Sequence, residues 1–241
     1  TCSGDTYNVS TVAQLASAVS SAGACDEIVL AAGTYDLSSG LTDGIIIGNT
    51  ISQPNLTIRG ATGDANDVVI LGGGVNTDAA PRSIIQVFGN GDNVTIRDLT
   101  VSDCYYHGIQ VQNGADQVKI LNVIGLDIGE HYLKISPGAT NGEIANCLLE
   151  QTVTRQNGIG DRPDNYLGGI DIVGGTGWHI HDNVMKNING ADYATGDAGI
   201  FMWQNTANMT VERNLIIGCN RGISLGNPSY TSNYNCNGAI V

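Results

Sequence analysis

Two short segments of the sequence repeat the same chemically capable residues at an interval of 24 positions, from 103 to 127. Residues 103–111 read DCYYHGIQV and residues 127–135 read DIGEHYLKI, so an Asp is followed four residues later by His107 or His131. Imidazole groups transfer protons near neutral pH and bind metal ions. The two histidines are therefore candidates for a proton-transfer pair or for metal ligands. We favour a third interpretation, in which they are corner residues hydrogen-bonded to the backbone.

The two aspartates of the repeat, Asp103 and Asp127, would lie about 5 Å apart if the repeats stack as neighbouring strands. Like charges at that distance repel each other unless one carboxyl group is protonated or a cation lies between them. Together with Glu130 they form a candidate Ca²⁺ site, since calcium prefers oxygen ligands, and Ca²⁺ is the only cofactor that we infer. The competing interpretation, which we prefer, is that both aspartates cap turns.

The elements that would position these residues are short strands. Segments of alternating pattern, bounded by Gly, Asn or Asp, recur along the chain, and most are followed by a second such segment, for example HGIQV or GGIDI. The central residues of the first set are Ile58, Ile96, Ile120, Ile144, Ile180 and Val211. No helical periodicity separates the segments, so the repeat indicates a solenoid of stacked β-coils.

A second periodic feature is a set of asparagines two or three residues after the central apolar positions. They are Asn122, Asn146, Asn183 and Asn214. Asparagine tolerates the left-handed backbone conformation of a tight corner. Stacked coils would place these side chains about 4.8 Å apart, so we expect them to hydrogen-bond one another in a row.

The xIxxN and GIxI phrases resemble the right-handed parallel β-helix of the pectate-lyase-like superfamily over roughly residues 26–241. GGIDIVGG, AGIFMWQ and NRGISLGNPS are similar to phrases of bacterial secreted right-handed β-helix repeat proteins. The resemblance implies an all-β fold, a right-handed parallel β-helix (solenoid) with a short N-terminal capping helix. It implies little about activity, because this fold hosts lyases, hydrolases, epimerases, adhesins and non-enzymes.

Residues 10–22 have the pattern of an amphipathic helix with Ser10 or Thr11 as its N-cap. We therefore divide the chain into an N-terminal cap containing this helix, residues 1–25, and a parallel β-helix, residues 26–241. The final phrase NCNGAIV begins another coil, so we expect the β-helix to be incomplete or open at its C-terminal end. Further residues beyond this point are the interpretation that we favour, and self-association through the C-terminal coil is the alternative.

The composition excludes several classes of partner. Charged residues make up 14% of the chain and the formal net charge is −13. Nucleic acid is excluded, because contact with phosphates needs clustered Lys and Arg. An acidic polysaccharide would be repelled overall unless a local cation or basic cluster offsets the charge. No run of 18 or more apolar residues is present, so we expect no membrane span.

The cysteines indicate an oxidising compartment. Cys2 with Cys25, and Cys219 with Cys236, are spaced like local disulfides, although spacing alone does not fix the connectivity. Cys147 falls at a core position of the repeat and is expected to be a buried free thiol. The chain begins at a Thr without a leader segment, which fits a secreted protein whose signal peptide has been removed. We therefore expect an extracellular or cell-surface location.

In the superfamily that the chain resembles, the GIxI strand borders the substrate groove. Side chains alternate along a strand, so the residue after each inward Ile or Leu points outward. The outward column reads Gln110, Lys134, Asp171, Phe201 and Ser224. Two insertions, at 150–167 and 186–197, would wall one side of this column. The sequence thus predicts a groove with Lys134 and Asp171 on its floor.

Aromatic residues would flank this groove. Tyr132 and Trp203 fall beside the column and Phe201 lies in it, where they could stack on sugar rings. The loop 186–197 could instead cover Phe201 and Trp203. The lysine on the floor could be an ordinary solvated side chain, and its neighbouring aspartate could simply pair with it.

A polysaccharide lyase needs a base that removes the proton next to a uronate carboxylate, and a cation that neutralises that carboxylate. Lys134 or His131 could be the base, and Arg155, Arg221 or bound Ca²⁺ could neutralise. A hydrolase would instead need two carboxylates across the bond, and Asp171 could pair with a loop aspartate only if the loops fold inward. The candidates for that partner are Asp161, Asp164 and Asp197.

These considerations give one set of candidates for each role. The catalytic candidates are Lys134, His131 and Asp171. The substrate-binding candidates are Tyr132, Trp203, Phe201, Arg155 and Arg221. The metal-binding candidates are Asp103, Asp127 and Glu130.

The chain lacks the motifs of several enzyme families that share the fold. It has no RxPxxR run as in pectate lyases, no GHG as in polygalacturonases and no DPHE-like run as in alginate epimerases. The sequence therefore does not decide whether the protein is an enzyme. We predict a secreted β-helix protein that engages an extracellular polysaccharide. If it is an enzyme, we expect a polysaccharide lyase or a related carbohydrate-active enzyme. The alternative is a non-catalytic structural, adhesive or end-to-end assembling, filament-type β-solenoid.

Overall fold

Residues in the left-handed backbone conformation make the corners of this molecule. Its computed structural model describes residues 2–112, 114–191 and 196–226 and the backbone of 236–237. Asn and Asp occupy most of the non-glycine corners, because their short polar side chains tolerate a positive φ. Corner positions recur in the same place in successive coils. Asp98, Asn122 and Asn146 have φ values of 58°, 51° and 57°.

Short strands connect the corners. In chain order they are β1 Thr6–Val9, β2 Glu27–Leu30, β3 Gly33–Asp36, β4 Ile45–Ile47, β5 Thr57–Gly60, β6 Val68–Leu71, β7 Ile85–Val87, β8 Thr95–Cys104, β9 Ile109–Val111, β10 Lys119–Ile128, β11 His131–Ile135, β12 Glu143–Ala145, β13 Leu148–Glu150, β14 Gly168–Val173, β15 His179–His181, β16 Val184–Lys186, β17 Ile200–Trp203, β18 Thr206–Ala207, β19 Thr210–Glu212, β20 Leu215–Ile217, β21 Ile223–Leu225 and β22 Cys236–Asn237. One α-helix, α1, spans Val12–Ser21, and two 3₁₀ turns span Leu37–Ser39 and Ala65–Asp67.

Every strand pairing in the described part of the chain is parallel. One seven-stranded sheet runs β4, β7, β9, β11, β14, β17, β21. A thirteen-stranded sheet holds two further ladders, which the long strands β8 and β10 join, and β18 pairs with β22 in a small third sheet. The structure confirms the predicted fold class, a right-handed parallel β-helix with one short helix near its N-terminus.

The repeated apolar residues stack in register inside the coils. Ile58, Ile96, Ile120, Ile144, Ile180 and Val211 lie opposite one another on successive strands and are at most 2% exposed. They belong to one apolar cluster that fills the interior of the β-helix. Burial of such a column stabilises the fold by about 25 cal/mol per Å² of apolar surface removed from water.

The N-terminal helix packs on the first coils. Thr11 is its N-cap and accepts a hydrogen bond from the Gln14 backbone N–H. Leu15 is fully buried in the core. At the other end, the buried Gln53 side-chain amide donates to the carbonyls of Val19 and Ala22, which satisfies groups that a helix end leaves free. The sequence did not predict β1, which precedes the helix and pairs with β2.

The predicted row of asparagines is in fact two rows. The second row lies one residue later in the repeat than the first. Asn122 and Asn146 are corner residues with positive φ. Asn183 and Asn214 lie one position later and hydrogen-bond each other, from Asn183 Nδ2 to Asn214 Oδ1 at 2.9 Å. Asn183 also accepts from the Cys147 N–H and donates to the Ile144 carbonyl. The prediction of one continuous row was wrong, because the corner residue of the later coils is Asp182 and then Arg213.

The cysteines follow the sequence interpretation in part. Cys2 and Cys25 form a disulfide, and Cys147 is a buried free thiol. Cys219 is a free thiol among the described residues, and its suggested partner Cys236 has its side chain outside them.

The predicted open coil at the C-terminal end falls on residues 227–241, which lie outside the described residues apart from the β22 backbone. Among the helices that the structure describes, none has the length and apolar character needed to cross a membrane.

Candidate functional site

The outward column of the seven-stranded sheet has the register that the sequence predicts. Lys134 lies opposite Gln110 on one side and Asp171 on the other, and Asp171 lies opposite Phe201. The column also extends one strand further towards the N-terminus, because Gln110 lies opposite Gln86. The parallel register therefore places a lysine and an aspartate side by side in the middle of this face.

Lys134, Asp171 and Tyr166 form one hydrogen-bonded network. The Lys134 ammonium group donates to Asp171 Oδ2 and, at 2.7 Å, to the Tyr166 hydroxyl. The Tyr166 hydroxyl also lies 3.3 Å from Asp171 Oδ2. Burial, followed by the charge of Asp171, raises the pKa of the Tyr166 phenol, so this hydroxyl keeps its proton. Tyr166 comes from the insertion 150–167, and the sequence analysis did not single it out.

Asp171 is fully buried and its carboxylate is held from several sides. Trp203 Nε1 donates to Asp171 Oδ1 at 2.9 Å, and Lys134 pairs with Oδ2. His131 Nε2 lies 3.6 Å from Asp171 Oδ2. Because it is 0% exposed, Asp171 cannot touch a polymer on this face. This burial is against the direct catalytic role predicted for Asp171.

The flanking aromatic residues do not form an open sugar-binding surface. Phe201 and Trp203 stack at a centroid distance of 5.4 Å and are only 5% and 7% exposed. Tyr132 is fully buried in the core, where it packs over Gly125, which leaves space for its ring. This burial is against the substrate-binding roles predicted for all three residues.

Two arginines anchor the insertion 150–167 to the coils. Arg155 donates to the carbonyls of Pro163 and Tyr166, within the insertion itself. Arg162 donates to the carbonyls of Tyr105 and Val75 and lies 4.5 Å from the Tyr105 ring centroid. An added Cβ at Gly129 would collide with this guanidinium group.

Arg155 is 1% exposed, so the structure replaces its predicted substrate contact with a structural one. Burial, and then the charge of Arg162, lowers the pKa of Arg155 to about 10. Arg221 is exposed and precedes β21. Its backbone carbonyl accepts from Gly199, and no contact in the described residues joins its side chain to the Lys134 network.

His107, Glu130 and His131 lie together beside this network. Their ligand-capable atoms are within 4.8 Å of one another, and all three residues are buried. The His131 ring meets Tyr166 edge-on at 4.3 Å and is 0% exposed, so it cannot reach a polymer as the predicted base. The favoured interpretation of hydrogen bonds to the backbone was wrong, because neither His131 nitrogen nor His107 Nδ1 has a hydrogen-bond partner among the residues that the structure describes.

Burial shifts the titration of this cluster. Burial, and then the charges of His131 and Lys134, holds the pKa of His107 well below its usual value, so its imidazole is neutral. Burial raises the pKa of Glu130, against the opposing effect of His131 and of nearby Arg155.

The two repeated aspartates have different surroundings from Glu130. Asp103 Oδ1 accepts from the Val75 N–H, and Asp127 accepts from Thr152 and Val153. Both have positive φ, at 56° and 50°. Both therefore lie at corners, as the preferred interpretation expects, but their carboxylates accept from segments distant in sequence and not from their own turns. Of the three residues of the predicted Ca²⁺ site, only Glu130 joins a group of three potential ligands in the described part of the chain.

The loop aspartates bear on the hydrolase alternative. Asp161 accepts from the hydroxyls of Tyr105 and Tyr106, and Asp164 accepts from the Gly158 N–H. Only Asp197 converges on the site, with Oδ2 at 3.5 Å from His131 Nε2. A hydrolase needs two carboxyl groups that flank the substrate. Because its partner Asp171 is buried, this requirement is not met.

The open part of the face continues towards the N-terminus as a polar surface. Gln86 and Arg82 line a cavity of about 350 Å³. The half-buried Arg82 donates to the Tyr106 hydroxyl at 3.1 Å and pairs with Asp78 and Asp161. Amide, hydroxyl and guanidinium groups of this kind can hydrogen-bond sugar hydroxyls and carboxylates.

Comparisons with known proteins show the fold of this chain. No protein-family model and no curated protein matches it. Among solved structures it is similar to an alginate lyase from Paenibacillus sp. str. FPU-7, with 20% identity, 88% of this chain and 76% of that chain covered, and a TM-score of 0.57. It is also similar to the catalytic unit of a GH87 α-1,3-glucanase from Streptomyces thermodiastaticus strain HF3-3, with 16% identity, 93% and 41% coverage and a TM-score of 0.63.

A third similar structure is a pectate lyase from Bacillus sp. N165 in complex with trigalacturonate, with 14% identity, 98% and 82% coverage and a TM-score of 0.55. At these identities the likeness shows the parallel β-helix fold alone.

Proposed function

We propose that this protein binds a uronate-containing polysaccharide along the outer face of the seven-stranded sheet and cleaves it by β-elimination. One observation carries the proposal: Lys134 and Tyr166, two groups that can exchange protons, are hydrogen-bonded to each other at 2.7 Å in the middle of that face. Asp171 accepts from both and fixes their positions. Side chains locked in this way meet the requirement for preorganised proton transfer.

The proposed reaction needs one base and one acid. The Lys134 ammonium group first releases a proton to solvent, and the resulting amine removes the proton from the carbon that bears the uronate carboxylate. The bond between the adjacent ring carbon and the glycosidic oxygen then breaks, and the electron pair of the C–H bond becomes a ring double bond. The Tyr166 phenol, which its raised pKa keeps protonated in the resting state, donates its proton to the leaving oxygen. The ammonium and phenolate groups restore their starting states by proton exchange across their shared hydrogen bond.

The substrate carboxylate must be neutralised for its neighbouring proton to be removed. Arg82 is the half-exposed cation on the same face and lies beside Gln86 at the polar cavity. We assign the neutralising role to Arg82 instead of Arg155, which is buried, and Arg221, which lies outside the network. Ca²⁺ bound together with the polymer is the second way to supply this charge, so the assay is run with and without it.

Three further observations support an extracellular polysaccharide as the substrate. Similar folds occur in an alginate lyase, a pectate lyase and a rhamnogalacturonan lyase. The Cys2–Cys25 disulfide fits an oxidising, extracellular location. The polar column of Gln86 and Gln110 continues from Lys134 along the sheet, as an extended polymer requires.

The test is a digest of a panel of uronate polysaccharides, with mass spectrometry of the product ends. β-Elimination leaves an unsaturated uronate that is lighter by one water than the product of hydrolysis. We expect the unsaturated end from wild type on at least one polymer, and from Lys186→Ala, which changes a surface lysine paired with Glu150. We expect no such product from Tyr166→Phe. Saturated ends, or an undiminished reaction of Tyr166→Phe, would contradict the proposal.

A second function, assembly of copies end to end, is favoured by one observation. In the last described coil the inward-facing Ile223 and Leu225 are 37% and 55% exposed, whereas their counterparts Ile200 and Met202 are fully buried. Exposed apolar residues at a strand edge favour association. Light scattering during gel filtration tests it: concentration-dependent growth that Leu225→Glu abolishes would support assembly, and a monomer at all concentrations would exclude it.

A further inference from the structure

Three buried side chains from two neighbouring coils converge next to the proposed catalytic pair. His107 precedes β9, and Glu130 and His131 lie at the start of β11. These side chains offer one nitrogen or carboxylate oxygen each, and the three atoms lie within 4.8 Å of one another. The parallel register stacks the two histidine rings, with centroids 5.8 Å apart. Two imidazoles and one carboxylate are a common ligand set for transition metals in proteins.

The histidines are unsatisfied in a way that a bound ion would correct. His107 Nδ1 and both nitrogens of His131 have no hydrogen-bond partner within the described part of the chain. Leaving a buried polar group unsatisfied is destabilising, and such groups are rare in native structures. His107 Nε2 is 3.7 Å from Glu130 Oε2, so the carboxylate is close to the rings without a short hydrogen bond to them.

The surroundings of His131 match those of a metal-bound histidine. A ligating imidazole usually gives its second N–H to a carboxylate, which orients the ring. His131 Nε2 lies 3.6 Å from Asp171 Oδ2 and 3.5 Å from Asp197 Oδ2. Neither contact is a hydrogen bond in this structure, but donation from Nε2 to one of these carboxylates would leave the other ring nitrogen for an ion. Asp171 and Asp197 also add negative charge near Lys134, Arg155 and Arg162, the cations whose charges lower the pKa of Glu130.

We propose that His107, Glu130 and one ring nitrogen of His131 bind a single divalent transition-metal ion of the Zn²⁺ class. Imidazole ligands select such ions over Ca²⁺, which takes oxygen ligands. This site is distinct from the Ca²⁺ site predicted at Asp103, Asp127 and Glu130, since the two aspartates accept hydrogen bonds from Val75 and Thr152 instead. The proposal does not depend on the β-elimination activity.

The test measures metal binding directly. The full-length protein is stripped with a chelator, dialysed and titrated with ZnCl₂, and bound zinc per chain is determined by mass spectrometry of the metal. We expect one tightly bound ion for wild type. His107→Ala and Glu130→Gln should weaken binding by more than about tenfold, since even residues that only orient ligands cost that much. Zinc should also raise the melting temperature of wild type but not of these variants.

His179→Ala is the matched control, because His179 is an exposed histidine that pairs with Glu212 on the other sheet. It should bind zinc like wild type. Circular dichroism verifies that each variant is folded, and Glu130→Gln retains the size of the side chain. The proposal is overturned if wild type binds no zinc, if His107→Ala and Glu130→Gln bind it as tightly as wild type, or if His179→Ala alone removes it. Equal competition by CaCl₂ would also contradict the nitrogen-ligand set.

Discussion

The ion pair between Lys134 and Asp171 lies out of water, with side-chain exposures of 11% and 0%. The geometry of this pair explains how the Lys134 side chain, at an outward strand position, is kept in one orientation. Asp171 receives hydrogen bonds from the lysine, from Trp203 Nε1 and from Tyr166. A carboxylate that accepts from three donors holds each of them in place.

Replacement of Asp171 by Asn should destabilise the protein strongly. The change removes the counter-charge and leaves Lys134 as an uncompensated buried cation, which costs about 3–5 kcal/mol. The free energy of unfolding in urea measures the effect. Glu150→Gln is the matched control, because it changes the partner of Lys186 in a more exposed pair and should cost at most about 1 kcal/mol. Equal losses in the two variants would contradict the account of a buried pair.

For single residues, the sequence predicted the place of a side chain in the sheet better than it predicted whether that side chain is buried. Alternation along the strands identified the column that contains Lys134 and Asp171, and the structure has that register. The burial of Phe201 and Trp203, and the inward position of Tyr132, were not predictable from alternation. They depend on packing against neighbouring coils and on loops whose conformations are fixed by contacts distant in sequence.

The insertion 150–167 is the element that completes the site, because it delivers Tyr166 to Lys134. Its anchor is Arg162, which reaches the Tyr105 and Val75 carbonyls across a sequence separation of 87 residues in the second case. No periodic pattern marks such a contact, which is why the sequence located the insertion but missed Tyr166 and Arg162. An aromatic residue five positions before an outward aspartate is the only signal the sequence offers.

Arg162→Met should loosen the insertion while the coils stay folded. The variant loses the two carbonyl contacts, so hydrogen exchange in residues 150–167 should become faster and the β-elimination rate should fall. Arg213→Met is the control, since Arg213 pairs with Asp182 and Glu212 at the surface and has no contact with the insertion among the described residues. Unchanged exchange in the insertion of Arg162→Met would show that other contacts hold it.

A different ladder, formed by β12, β15 and β19, carries a pH-dependent contribution to stability. Burial alone would lower the pKa of His181, but hydrogen bonds to Asp182 and Glu143 raise it above its usual 6.5. A raised folded-state pKa means that the protonated histidine stabilises the protein, fully below the unfolded-state pKa. This contribution is lost as the pH rises through the folded-state pKa.

His181→Asn should therefore lower the free energy of unfolding at about pH 5 to 6 and have a smaller effect at about pH 9. Urea unfolding of wild type and variant across this range measures the difference. A difference that grows with pH would contradict the assignment. A pKa of His181 at or below the usual value, measured by NMR, would do so as well.

On the scale of the whole molecule, the β-helix was predictable because its signal is repeated. Each coil contributes an inward apolar residue at the same position, and these residues pair from Ile28 to Val211 along the main ladder. A pattern that is weak in one coil becomes a strong signal when seven coils repeat it. The displaced asparagine ladders and β1 were missed, because each depends on a local change that is not repeated.

The net charge of −13 should make activity on a uronate polymer depend on salt in an unusual direction. Protein and polymer repel each other at long range, and added salt screens that repulsion. We expect kcat/KM to rise as NaCl is raised from about 0.01 M to 0.1 M, where the screening length falls from about 30 Å to about 10 Å, with kcat nearly constant. A fall in kcat/KM over this range would indicate that local cations such as Arg82 dominate the encounter.

The most direct test of the central claim is the ultraviolet absorbance of the unsaturated uronate product, followed over time for wild type and Lys134→Ala on the polymer that the digest identifies. The account predicts a steady rise for wild type and a rate lower by about 100-fold or more for Lys134→Ala, the size of effect expected when a general base is lost. Circular dichroism shows whether the variant is folded. An equal rise for folded Lys134→Ala, or a flat trace for wild type on every uronate polymer, would contradict it.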